Sequence, residues 1–265
     1  MNSRFPVSPA PFRSFLVGST EVRVYTSKSW MGVAVANHVG AALRQAISLK
    51  GGARMIIGGG NSQLDFVASL ARVPDVDWRA VEMFHMDEYV GMPTSHPASL
   101  RRWIKLRVED VLQPGQMHYV DGEAADVDAE CRRYGNLLQQ APIDVCVIGF
   151  GENGHIAFND PHVARFDDPA AVKRVDLDQR CRMQQVGEGH FGRLEDVPKD
   201  AITITCPMLV SAAHVLCCVP ELRKAEAVKN ALQGPIAESC PASLVRRHAN
   251  AVVYLDTESA SLLNC

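Results

Sequence analysis

The strongest constraint on this chain is a repeated pattern: short apolar runs alternate with stretches of helical period, and two of the runs stop abruptly in loops of acids, glycine and histidine. Residues 81–85 pass straight into Met86-Asp87-Glu88-Tyr89-Val90-Gly91. The apolar stretch at 143–148 passes into Gly149-Phe150-Gly151-Glu152-Asn153-Gly154-His155, and on to Asp160 and Pro161. In an α/β sheet such points are where strands end and side chains project into a shared crevice. Further strands are expected at 22–25, 54–57, 119–120, 215–219 and 251–255. Helices are expected at 29–49 with Ser29 as cap, from the glycine turn to 70, and at 97–111, 127–139, 207–213 and 222–232, with one more at the C-terminus. The expected fold is α/β: a doubly wound, mostly parallel, Rossmann-like sheet flanked by helices, in one domain over residues 1–265. Residues 1–15 read as an N-terminal arm, with three prolines in the first dozen positions. Residues 160–200 lose the alternation, are polar and contain glycine, which suits an active-site lid.

The chain has 265 residues, 47% hydrophobic and 22% charged, with a formal net charge of −3. That length supports a sizeable core. The charge argues against nucleic acid as a partner while leaving room for a small basic pocket. No apolar run is long enough to cross a bilayer, and no secretory leader pattern is seen, so no membrane association is expected. The eight cysteines include no CxxC pair, and Cys217-Cys218 lies in an apolar run. Free thiols in a reducing cytoplasm are the expectation.

Four groups of residues could carry chemistry, and each also has a plain structural use. Gly59, Gly60, Asn61 and Ser62 lie between a strand and a helix, where backbone amides and a hydroxyl could hold a phosphate; the same residues would make a tight turn and a cap. Lys224 at a helix start opposes the helix dipole, which an anionic ligand would explain, although a solvated lysine needs no ligand. Strand alternation sends Asp87 and Glu88 to opposite sides, so one could be a base and the other a support, or both could bind loop amides. His155 sits in a glycine bend with Asn153 two residues before it and Asp160 five after, as a polarised ring or a structural histidine. His85, His96 and His162 show no metal-ligand spacing, so no metal is expected.

Taken together these residues resemble the glucosamine-6-phosphate deaminase (isomerase) family, within a wider group that includes 6-phosphogluconolactonases. The likeness runs from about residue 57 to 255. It is carried by residues 84–91 with His96-Pro97, by 149–161 and by 126–134, and more weakly by 197–203 and 223–225. The lactonase branch typically has a DER-type acidic motif and a GHxASLFP-type histidine motif. This chain has MDEYVG and GHIAFNDP, which look like the deaminase branch.

The resemblance implies a small-molecule sugar phosphate, D-glucosamine 6-phosphate, converted to fructose 6-phosphate and ammonia without a cofactor. Asp87 would move a proton from C2 to C1, and His155 would assist ring opening, oriented by Asp160 and Asn153. Ser62, Lys224 and the amides of Gly59, Gly60 and Asn61 would bind phosphate, with Glu88 supporting the cleft. Relatives can self-associate, so a homo-oligomer is allowed. Family members often carry Asp where this chain has Asn153 and Glu where it has Asp160, so a weakened relay is expected. The family's lid arginine is absent near residues 184–189, and Arg182 is the nearest substitute. A lactonase-type hydrolase and a non-catalytic sugar-phosphate sensor are the alternative readings.

Overall fold

The computed structural model describes residues 9–264. Strands β1 (Arg13–Val17), β2 (Thr20–Tyr25), β3 (Ala53–Ile57), β4 (Val81–His85), β6 (Gln116–His118), β7 (Val145–Ile148), β10 (His214–Val219) and β11 (Ala251–Asp256) form one eight-stranded sheet in the order β1-β2-β11-β10-β7-β3-β4-β6. Every neighbouring pair is parallel except β1 with β2. Parallel strands covered on both faces need apolar residues at successive positions, which is how β3, β7 and β11 read. Met55, Ile57, Val147, Leu216 and Cys218 pack on one face; Ile56, Ile148, Cys217 and Val253 pack on the other. The expected doubly wound sheet is therefore present.

Chain order explains where a ligand would go. From β3 the chain moves outward to β4 and β6, then returns to place β7 on the other side of β3. The crevice at that reversal, beyond the carboxyl ends of β3 and β7, is the switch point of an open α/β sheet.

The polar stretch 160–200 differs from the expected irregular lid. Strands β5 (Asp87–Tyr89), β8 (Val172–Asp176) and β9 (Asp200–Ile204) form a separate antiparallel sheet in the order β5-β9-β8, with the helix Gln179–Gly187 between β8 and β9. Charged residues hid the strand in Val172–Asp176, where Lys173 and Arg174 alternate to opposite faces and neither is fully buried. The chain thus carries a second sheet beside the doubly wound one.

Other boundaries shift for local reasons. Helix α1 (Lys28–Lys50) is capped by Ser27, whose Oγ accepts Trp30 N at 3.2 Å, rather than by Ser29. The strand expected at 119–120 lies at Gln116–His118, and residues after Asp256 form turns rather than a helix. The expected arm lies partly outside the described residues; its end belongs to β1. Among the described residues no helix is long and apolar enough to cross a membrane.

Helix α1 crosses helix α2 (Leu64–Leu70) at Gly32. A Cβ there would stand 2.7 Å from the Asp65 carbonyl carbon and 2.8 Å from Phe66 N. Backbone cannot yield as a side-chain tip can. Gly32→Ala is expected to cost about 1–3 kcal/mol, read as a lowered denaturant midpoint with an unchanged slope.

Candidate active site

Four strand ends build one cleft. β3 stops at Gly58-Gly59-Gly60, where Gly60 takes φ 110°, a value side chains disfavour. A single 3-10 turn (Asn61–Gln63) then feeds α2. Gln63 Nε2 donates to Ser62 Oγ (3.1 Å) and to Cys218 O (3.2 Å), tying this turn to the end of β10. Gly59, Gly60, Ser62, Asp87, His155 and Lys224 all line the cleft, which encloses about 650 Å³ of space open to solvent.

Asp87 and Glu88 part company as strand alternation predicts. Glu88 faces away from the cleft and accepts four hydrogen bonds, from Ser99 Oγ (2.7 Å) and the amides of Tyr89 (2.9 Å), Leu100 (3.2 Å) and Arg101 (2.8 Å). It anchors the start of helix α3 (Leu100–Ile104) and has no capacity left for a ligand, a correction to its expected place among the binding groups. Asp87 is 7% exposed and lines the cleft. Burial, and secondly the Glu88 charge, push its carboxyl up to about 8.

His155 is set by the loop after β7. Its backbone N donates to Asn153 Oδ1 (3.0 Å), and Gly151 N donates to His155 O (2.9 Å). The ring's Nδ1 stands 3.0 Å from Asp160 Oδ1, but the approach is too bent for a directed hydrogen bond. Asp160 is fully buried. Burial alone would raise its carboxyl, but His155, Asn153 and the Asp178 amide outweigh it and leave the group below its ordinary value.

Asn153 is not a weakened acid. Its Nδ2 donates to Asp160 Oδ1 (2.8 Å) and to Asp178 Oδ2 (2.8 Å), holding two carboxylates together. Asp178 N completes the arrangement by donating to Asp160 Oδ2 (3.0 Å). An acid at 153 would put three carboxylates side by side, so the amide is the residue this surrounding requires. Asn153 and Asp160 sit behind the imidazole rather than on the cleft wall.

Lys224 lies on the 3-10 turn (Leu222–Lys224) after β10 and is 2% exposed, with its side chain on the cleft. Burial lowers its ammonium, and the nearby Glu188 charge works against that. No direct ion pair to Lys224 occurs among the described residues.

One expected binding residue does other work. Arg182 donates to the carbonyls of Leu194 (2.6 Å) and Val197 (2.9 Å), so its charge fixes a loop away from the cleft and does not replace a lid arginine. The Asn61 side chain donates to Glu188 O (3.1 Å), which leaves its backbone amide, the group expected to bind phosphate, out of that bond. Missing from the sequence reading were Gln63, Tyr89, Gln184, Gln185 and Glu188, all on the cleft wall. Glu188 accepts from Arg223 Nη1 (2.7 Å) and Gln184 Nε2 (2.7 Å). Burial opposes its ionisation, but His190, Lys224 and Arg223 prevail and hold it at about 2. Their signal in the sequence was only a polar stretch in the place of an expected arginine.

The sequence profile of the glucosamine-6-phosphate isomerases/6-phosphogluconolactonase family matches residues 26–254. A glucosamine-6-phosphate deaminase of Exiguobacterium sibiricum is 38% identical over 189 residues, 71% of this chain and 73% of its own length. One from Bacillus cereus is 36% identical over 203 residues, 77% and 75% of the two chains. A solved structure described as a monomeric glucosamine-6-phosphate deaminase superposes with a TM-score of 0.84 at 26% identity, covering 91% of this chain and 99% of the other. A 6-phosphogluconolactonase from Shewanella baltica shares the fold, with a TM-score of 0.74 at 16% identity over 91% and 100% of the two chains.

A Cβ on Gly151 would fall 2.1–2.3 Å from three atoms of the His155 ring. Gly151→Ala should leave the fold intact and displace the imidazole. Turnover should fall by about 100-fold, the usual cost of a misplacement near 1 Å, measured as kcat beside an unchanged circular dichroism spectrum.

Proposed function

This chain belongs to the glucosamine-6-phosphate isomerase/6-phosphogluconolactonase family, and from that premise we propose that it converts D-glucosamine 6-phosphate to fructose 6-phosphate and ammonia. The observation that carries the reading is the pairing, in one cleft, of a buried carboxyl without a counter-charge and an imidazole backed by a carboxylate. The phosphoryl group rests against Gly59, Gly60 and Ser62, with Lys224 supplying the charge. His155 carries the proton that opens the pyranose ring, Asp160 stabilising the imidazolium. Asp87 takes the proton from C2 and returns it at C1 through an enolamine, since one carboxylate can reach both carbons. Water then adds at C2 of the resulting imine and ammonia leaves. No electrons are exchanged with a second molecule, so the scheme needs no redox cofactor. We place the enzyme in the cytoplasm, where buried thiols such as Cys217 and Cys218 stay reduced.

The elevated Asp87 carboxyl fixes a pH dependence. As base it must be ionised, so kcat/KM should climb about tenfold per pH unit below about 8 and level off above it. The folded protein holds this proton more tightly than the unfolded chain. Asp87 therefore detracts from stability as pH rises from the ordinary carboxylate range through about 8.

Two assays on one preparation test the proposal: ammonia release from glucosamine 6-phosphate, and hydrolysis of 6-phosphogluconolactone. Ammonia release is expected, and fast lactone hydrolysis without ammonia would reject it. Asp87→Asn should lower kcat by about 10²–10⁴, keep inorganic phosphate binding, and melt no earlier than the parent chain at pH above 8. Undiminished turnover would remove Asp87 from its role.

A further inference from the structure

Behind His155, two segments distant in sequence bring three different donor atoms together. His155 Nδ1, an Asp160 carboxylate oxygen and Cys181 Sγ all lie within 4.8 Å of one another, and all three residues are buried. His155 comes from the loop after β7, Asp160 from the end of that loop, and Cys181 from the first turn of the helix Gln179–Gly187. No local spacing announces the group, which is why a search for metal motifs along the chain does not find it. The second observation is His155 Nδ1 itself: it is shut off from solvent yet has no directed hydrogen bond, Asp160 Oδ1 standing 3.0 Å away at a bent angle.

We propose that His155 Nδ1, Asp160 and Cys181 form a binding site for a soft divalent cation of the zinc type. The donor set is one imidazole nitrogen, one carboxylate oxygen and one thiolate, which suits zinc better than magnesium or calcium. A tetrahedral ion with bonds of about 2.0–2.3 Å keeps its ligands roughly 3.3–3.8 Å apart, so the Nδ1–Oδ1 side, at 3.0 Å, opens slightly and the two sides to sulfur close by about 1–1.5 Å at most. The Asp160 carboxylate is already oriented by Asn153 Nδ2 and Asp178 N, the outer support that metal ligands commonly have. The fourth position belongs to water or to the neighbouring Asp178, whose carboxylate is clustered with that of Asp160. On binding, the Cys181 S–H proton leaves to solvent as the S–metal bond forms. An ion here holds both the imidazole and its carboxylate, so it competes with the proton traffic assigned to His155. That inhibition rests on the deaminase reading; the binding does not.

Titration of the full chain with Co²⁺ tests the binding directly. One equivalent is expected to produce the near-ultraviolet thiolate-to-cobalt absorption together with the visible bands of a tetrahedral ion, and Zn²⁺ should displace it. Cys181→Ala should lose the thiolate band and bind Zn²⁺ more than about tenfold more weakly, since even outer partners of metal ligands cost that much. In the activity arm, Zn²⁺ should inhibit the unaltered chain reversibly, EDTA should restore it, and Cys181→Ala should resist inhibition. A Co²⁺ complex of the unaltered chain without a thiolate band, or Zn²⁺ affinity of Cys181→Ala within about twofold of the parent, overturns the site. The spectrum decides the matter even if the variant does not fold. It is also independent of turnover, so a chain that binds the ion yet releases no ammonia would fail the functional reading alone.

Discussion

Asp87 sits at the end of β4 as a carboxyl out of water with no cation beside it, and much of the surrounding structure follows from that. A group in this state is unfavourable when ionised, and the protein relieves it only through a raised proton affinity. The two adjacent acids share one strand, so alternation forces them apart. Glu88 takes the inward side and saturates itself on the start of α3. Its four hydrogen bonds lock the strand end, and the lock keeps Asp87 aimed at the cleft without contacts of its own. The short sheet β5-β9-β8 adds to this, pairing Asp87 with Thr203 and closing the cleft on the side where a parallel sheet would have ended. A carboxyl is thereby held rigidly while it stays unpaired, a combination that the proposed role of base requires.

The other charges of the site come already matched. Behind the imidazole, Asn153 donates to both Asp160 and Asp178 and ties them together. At the opposite end, Arg223 is shared among Glu152 (3.6 Å), Glu188 (2.7 Å) and Glu221 (2.7 Å). Buried charges persist when their partners are fixed, and they then rigidify the walls they belong to. Only Asp87 and Lys224 reach the cleft without a direct partner among the described residues. These two would meet the reacting carbons and the phosphoryl group of a bound sugar.

Much of this was legible beforehand, and the failures have physical causes. The apolar runs of β3, β7, β10 and β11 announced a parallel sheet because strands covered on both faces tolerate few polar residues. Asp87, His155 and Ser62 could be placed at the cleft because each lies in the segment that follows an apolar strand, β4, β7 and β3 respectively. β8 was not legible: Lys173, Arg174 and Asp176 are incompletely buried, and a half-exposed strand loses the apolar signature. Arg182 was misread because charge in a sequence says nothing of whether carbonyls or a ligand will receive it. The part Asn153 plays between two acids was hidden for a related reason. Its meaning depends on Asp178, a residue 25 positions away that only the fold brings to it. The same long-range assembly conceals Cys181 beside His155.

The absent lid arginine is best understood from the other side of the cleft. In this chain the polar stretch after the helix Gln179–Gly187 delivers Glu188, a carboxylate, where a cation was expected. A bare acid in an anion pocket would repel a phosphoryl group, yet Glu188 lies against Arg223, and its charge also bears on Lys224, the two cations being consecutive residues. Lys224 illustrates the balance: burial works to strip its proton, while the Glu188 charge works to keep it. Removing the acid would therefore increase the net positive charge of the wall but weaken the hold of Lys224 on its own. The cation that a phosphate would meet is thus supplied from the strand β10 side and steadied by an acid from the helix side. In this arrangement Glu188 helps sustain the charge at 224, and the stretch 184–188 need not supply a second cation.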